Sequence, residues 1–274
     1  MTHFALGNEF FAGRSPGCYN DPDFLALEAK DPAGVLHSYA RFVLTREMST
    51  VEATRVRAAV THVVGRLLDL ASPAEMMRNC FRASMVCLQT LEAAGIWGFV
   101  ATGSVRFRFP IGSGIGDAYF YSNDGAAVGH KAGHAWLVVP PFQLIDITAW
   151  AQGWRGTEAT LIPRAIIKES VSRRAFLPEL TAPPELLKGF RLPPDMNDFW
   201  RVFSPFEVEA DRVRIFYQQH GVTIPAEPLA EADFMLGGRP AARFVADEIQ
   251  PGLIGLTTTP NSATAPPTPD APKI

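Results

Sequence analysis

The sequence predicts an α+β protein with a helical amino-terminal part, a central helix packed on an antiparallel sheet, a mixed carboxy-terminal extension and a disordered tail. Three observations carry this reading. Apolar residues recur at three- and four-residue intervals up to Gly95, they alternate with polar residues soon after it, and the last stretch shows no apolar period. The chain has 274 residues, 47% of them apolar and 19% charged, with a net charge of −3, a balance that excludes a wholly disordered, collagen-like or coiled-coil protein. With 25 Lys and Arg against 28 Asp and Glu there is no global positive field to draw in nucleic acid.

The elements follow in order. Asp21-Pro22-Asp23 opens a short helix that Asp31-Pro32 interrupts, and AGVLHSYARFVLTREM resumes it. Ser49 and Glu52 form a capping box, after which Val56, Val60, Val63, Val64, Leu67 and Leu68 mark one buried face of a helix. Ser72 and Glu75 around Pro73 make a second capping pair leading to Asn79 and Cys80. From Asn79 to Gly95 the helix is apolar on two sides. Phe81, Met85, Leu88 and Leu91 form one stripe, and Cys80, Ser84, Cys87, Leu91 and Ala94 form a second of mostly small residues. Asn79 is its expected cap and Gly95 its left-handed stop, so Cys80 falls in the first turn.

Beyond Gly95 the period drops to two. Val105 to Phe109 alternates apolar and basic residues as a half-solvated strand does. Glycines 112, 114 and 116, the segment DAYFYS, an Asn123-Asp124-Gly125 turn, the strand His134 to Val139, a Pro140-Pro141 turn and the strand Phe142 to Ile147 complete an antiparallel sheet. Helices are expected from Ser204-Pro205-Phe206-Glu207 to Gln219, stopped by Gly221, and from Glu227 to Leu236. The tail TTTPNSATAPPTPDAPKI cannot offset its ordering entropy by burial.

Chemistry concentrates on three residues. A thiol in the first turn of a helix gains thiolate character from unpaired amides and the helix dipole, which is where Cys80 stands. An imidazole can take and return its proton, and a carboxylate can fix that imidazole's tautomer. His134 begins one strand and Asp146 ends the next, so antiparallel pairing brings them within a few positions of each other. Such a set performs acyl transfer, with Cys80 attacking a carbonyl to form a thioester resolved by water or an amine.

The segments NCFRASMVCLQTLEAAGI, GHAWLVV and LIDIT resemble the catalytic core of the transglutaminase-like branch of the papain-like cysteine peptidase superfamily. Cys80 lies 15 positions before Gly95 and His134 lies 12 before Asp146, spacings that suit the family's central helix and its His-to-Asp strand pair. The resemblance covers about residues 50–150 and implies a Cys80-His134-Asp146 triad on a central helix packed against an antiparallel sheet. In the usual family pattern a glycine, and often a tryptophan, precedes the cysteine, whereas here Met77-Arg78-Asn79 stand there. The oxyanion donors expected are the Cys80 backbone amide first and the Asn79 side chain second. Leader peptidases of ribosomally made peptides share a similar His-Ala-Trp, and arylamine N-acetyltransferases share the triad order.

The expected activity is hydrolysis of a peptide, isopeptide or amide bond, needing only water as second substrate, with an amine acyltransferase or a catalytically silent peptide-binding module as alternatives. Substrates are then peptides, proteins or amide-containing small molecules, with no cofactor or metal and no nucleic acid or membrane. Cys18 and Cys87 are read as packing residues, Trp136 as core or pocket wall shielding His134, and the glycine loop as a mobile segment near the cleft. His130 and His134 are four apart, but flanking glycines deny the helix that a metal pair needs. Three cysteines, no basic-then-apolar leader and no apolar run of about 20 residues lead to an expected cytoplasmic location. The expected divisions are 1–48 helical segment, 49–155 catalytic core, 156–255 extension and 256–274 tail.

Overall fold

The computed structural model describes residues 6–120, 133–154, 156–174, 204–225, 228–231 and 234–257. Helices pack on both faces of a curled antiparallel sheet, a mixed α+β architecture. The Asn123-Asp124-Gly125 turn, His130 and the tail from residue 258 onward lie outside the described residues.

Three helices open the chain, α1 (Asn8–Phe11), α2 (Pro22–Glu28) and α3 (Pro32–Thr45). The Asp31 side chain accepts the Gly34 amide and Pro32 occupies the first turn, so α3 starts where the sequence breaks α2. Helix α4 (Thr50–Leu70) buries Val56, Val60, Val63, Val64 and Leu67, the predicted face. Ser49 caps it by accepting the Glu52 amide, while the Glu52 carboxylate pairs with Arg46. The full reciprocal box forms at Ser72 and Glu75, opening α5 (Pro73–Met76). Helix α6 (Cys80–Ala93) ends at Gly95, which takes φ 73° as a left-handed stop requires. One correction applies to its stripes: Met85, Leu88 and Leu91 are buried, but Phe81 is 44% exposed beside the start of the helix.

The sheet holds β1 (Phe99–Arg108), β2 (Ala118–Phe120), β3 (His134–Val139), β4 (Phe142–Asp146), β5 (Ile166–Lys168), β6 (Ser172–Arg173), β7 (Phe206–Ala210) and β8 (Val213–Thr223). Its order is β5-β4-β3-β1-β8-β7-β6, with β2 beside the far end of β1. Strand β1 begins six residues before the predicted Val105, and its first half is buried nearly throughout. Its second half alternates as expected, with Val105 and Phe107 inside and Arg108 outside. Because successive side chains point to opposite faces, Val100, Leu137 and Ile145 join α4 and α6 in one core. Phe99, Trp136, Leu144 and Tyr217 join the amino-terminal aromatics Phe11, Phe24 and Tyr39 in the other.

Neither predicted helix in the extension forms among the described residues. Residues 206–210 and 213–223 form a hairpin turned at Asp211-Arg212, with Asp211 at φ 53°. Phe206, Val208, Ala210, Val213, Ile215 and Tyr217 are all buried, so period two governs this segment. Gly221 is a site of close approach rather than a helix stop, since a Cβ there would lie 2.9 Å from the Thr102 hydroxyl. In place of the helix from Glu227 to Leu236, the described residues form a 3-10 turn at Leu229–Glu231 and the short strand β9 (Met235–Leu236). Gly237-Gly238 turns β9 into β10 (Arg239–Pro240), both glycines at positive φ. A last helical run from Ala241 to Thr257, with a π-helical turn at Val245–Ile249, packs on α4 and carries helix past the expected boundary at 256. Strand β8 pairs with β1 along nine registered positions, so the core and extension drawn from sequence share one sheet. Among the described residues no helix is long and apolar enough to cross a membrane.

Candidate active site

Helix α6, strand β3 and the end of strand β4 bring Cys80, His134 and Asp146 together. Gly103 of β1 lies opposite His134, and Leu137 lies opposite Ile145, which sets the start of β3 beside the end of β4. The His134 Nε2–H donates to Asp146 Oδ2 at 2.7 Å, with both side chains fully buried. The Cys80 sulfur is hydrogen-bonded to His134 and also meets the backbone amide of Ala135. With Nε2 held by Asp146, Nδ1 is the nitrogen that faces the sulfur.

The carboxylate that orients this pair is itself fixed. Asp146 Oδ1 accepts the backbone amides of Thr148 at 3.0 Å and Ala149 at 2.9 Å, because the chain turns into a 3-10 helix right after β4. Asp146 Oδ2 also accepts the Tyr217 hydroxyl at 2.9 Å, from β8 two strands beyond β3. A buried carboxylate with several donors stays ionised. Burial alone raises its pKa, but His134, Thr148 and Tyr217 outweigh that and hold Asp146 below the usual carboxylate range.

The same contest decides the other two groups. Burial pushes the Cys80 thiol up, yet the His134 hydrogen bond and charge and the Ala135 amide bring it below its ordinary value. Burial pulls His134 down, but the Asp146 charge and hydrogen bond and the Cys80 contact raise it above the usual imidazole range. Both directions favour the thiolate–imidazolium form. The other cysteines go the opposite way, since burial drives Cys18 and Cys87 up to about 12.

Comparison of the chain with protein families, with curated proteins and with solved structures finds no match. The chemistry of the site therefore rests on its own geometry.

Trp136 lies fully buried under the imidazole, its ring 6.3 Å from that of His134 and inclined by 27°. Its indole Nε1 has no hydrogen-bond partner among the described residues. Asn79 occupies the cap position of α6 but does not cap it; its amide donates to the Glu75 carbonyl at 2.8 Å, which ties it to the preceding turn. As the first helical residue, Cys80 has an amide without an intrahelical acceptor, one of the free donors every helix start presents. Arg78, two residues earlier, takes φ 59°, a left-handed conformation that costs a residue with a Cβ about 1 to 2 kcal/mol.

Two participants escaped the sequence. Tyr217 lay in a segment read as helix, and even a correct strand there gives no sign that its hydroxyl meets Asp146. Gln152 Nε2 stands 3.4 Å from His134 Nδ1 and donates to the Thr148 carbonyl at 3.0 Å. Only the turn after β4 puts it there, and no residue pattern announces it. Phe120 of β2 closes another side of the imidazole at 6.3 Å. Among the described residues no three His, Cys, Asp or Glu side chains are grouped to hold a metal ion.

Proposed function

We propose that this protein is a thiol-dependent acyl-transfer enzyme built on a papain-like core of the transglutaminase-like branch, hydrolysing a peptide, isopeptide or amide bond. One observation carries the reading: a hydrogen-bonded line from a half-buried Cys80 through a buried His134 to a buried Asp146, drawn from three separate elements.

The Cys80 thiolate attacks the substrate carbonyl carbon, a C–S bond forms, and the carbonyl electrons move to oxygen. The Cys80 amide, free at the start of α6, is the donor offered to that oxyanion. The C–N bond then breaks as His134 gives its Nδ1 proton to the leaving nitrogen, leaving a thioester and a free amine. Water attacks the thioester, His134 takes its proton, and the C–S bond breaks to return the thiolate and release an acid. Asp146 keeps the Nε2–H pointed at itself throughout, so Nδ1 alone exchanges protons. Three free thiols fit action in a reducing compartment such as the cytoplasm.

An activated ester tests this without knowledge of the natural substrate. With p-nitrophenyl acetate, the protein is expected to release a burst of nitrophenolate and carry an acetyl group on Cys80, seen by peptide mass spectrometry. Cys80→Ala and His134→Ala should lose the burst. Faster turnover with an added primary amine would make the protein a transferase rather than a hydrolase. Acylation no faster at Cys80 than in His134→Ala would remove the reading.

A further inference from the structure

Near the start of α6 stands a cation that the acyl-transfer steps leave unused. Arg78 precedes the nucleophile by two residues and is exposed. Its left-handed backbone is shared by one other non-glycine among the described residues, Asp211 in a hairpin turn. Strain of this kind persists where the surrounding structure holds it, and it gathers at ligand-binding positions. Here the strain is accompanied by a specific placement. The guanidinium lies across Gly153, with Nε and Nη2 each 3.3 Å from the point where a Cβ would sit. Gly153 follows Gln152, whose amide touches the sulfur-facing side of His134. Arg78 therefore bridges the entry to α6 and the loop after β4 that brings Gln152 to the imidazole. Among the described residues no carboxylate pairs with it, whereas Arg14, Arg46, Arg57, Arg66, Arg106 and Arg174 all have carboxylate partners. Met77 and Phe81, 45% and 44% exposed, lie on either side of this stretch and offer apolar surface beside the charge.

We infer that Arg78 is a specificity-determining residue that receives a carboxylate of the acyl donor close to the scissile bond, so the substrate class is an acidic peptide or a carboxylate-bearing amide. The inference rests on the acyl-transfer reading, since it assigns a substrate to that site. A guanidinium presents a planar fork of donors that matches a carboxylate, and an unpaired one keeps that fork available.

Two alkylating reagents of nearly the same shape test it. Iodoacetate carries a carboxylate and iodoacetamide does not, so the ratio of their rates at Cys80 reports the charge beside the thiol. Arg78→Asn removes the cation while Asn tolerates the left-handed backbone. The expected result is a roughly fivefold fall in the iodoacetate-to-iodoacetamide ratio, the size of one cation a few ångströms from the reagent's carboxylate in water. Arg78→Lys should keep most of the ratio, and Arg78→Glu should push it below that of Arg78→Asn. Arg82→Gln is the control: Arg82 is also exposed but lies about 200° round α6 from Cys80, and it should leave the ratio unchanged. In the unaltered protein the ratio should also fall as salt is added, because an exposed charge is screened. An unchanged ratio in Arg78→Asn and Arg78→Glu, with Cys80 still alkylated rapidly by iodoacetamide, overturns the inference alone. Cys80 reacting with neither reagent faster than a simple thiol overturns the acyl-transfer reading instead.

Discussion

The single residue on which most of the site converges is Asp146. It holds His134, accepts two backbone amides and receives the Tyr217 hydroxyl, all while fully buried. A hydrogen bond to a buried charge contributes more than a neutral one, about 1.5 to 3 kcal/mol. Tyr217→Phe should therefore lower the unfolding free energy by an amount in that range, read as a lower urea midpoint with the slope against urea unchanged. Its pH dependence follows from the depressed Asp146 pKa: the lost stabilisation belongs to the ionised carboxylate, so it is present above the ordinary Asp value of about 3.9. It fades as the pH falls through the lower native value. Equal midpoints for the two proteins at neutral pH would show that the hydroxyl contributes nothing to holding the carboxylate. That Cys80, His134 and Asp146 come together was legible from residue type, from their places at a helix start and two strand ends, and from the family resemblance. Tyr217 and Gln152 were not, because each reaches the imidazole or its carboxylate through a fold-level placement that no local pattern encodes.

At the scale of the element, helix α6 is held at both ends by different chemistry. Its start faces β3 through Cys80, and its end carries Glu92 into a buried cluster where the hydroxyls of Tyr19 and Tyr39 both reach the carboxyl. Burial pushes Glu92 up to about 8, the two tyrosine hydrogen bonds opposing it only in part. A carboxyl that binds its proton more tightly when folded makes the native state less stable as pH rises from the ordinary Glu range to about 8. Glu92→Gln keeps an oxygen for the tyrosines and removes the titration. Urea midpoints across that interval should fall for the unaltered protein and stay level for the variant; parallel curves would exclude Glu92 as the cause. Elements such as α4 were legible because a cap and a long three-four period agree over 21 residues. The β7–β8 hairpin was misread because Ser204-Pro205 followed by Phe206-Glu207 mimics a helix start, while the alternation that decides the matter becomes visible only across the turn at Asp211.

At the scale of the molecule, the site exists because one sheet gathers distant segments. Strand β1 is paired by β3 on one side and β8 on the other, so the chain from 213 to 223 completes the surroundings of residues 134 and 146. That closure was hidden in the sequence for a physical reason: strand order depends on long-range pairing, and the periodicity of one segment does not name its neighbour. Helical N-terminal part, central helix and antiparallel sheet were each visible, whereas their joining with the extension was not. If this assembly sets a thiolate against an imidazolium, the alkylation of each cysteine by iodoacetamide as a function of pH will show it. Cys80 should react with a midpoint below the ordinary thiol value of about 8.5, while Cys18 and Cys87, pushed up to about 12, stay unlabelled. In His134→Ala the Cys80 midpoint should move above that ordinary value, because burial is then left without the imidazole to oppose it. A Cys80 midpoint at or above 8.5 in the unaltered protein, or a profile that His134→Ala leaves unmoved, would rule out a thiolate–imidazolium pair.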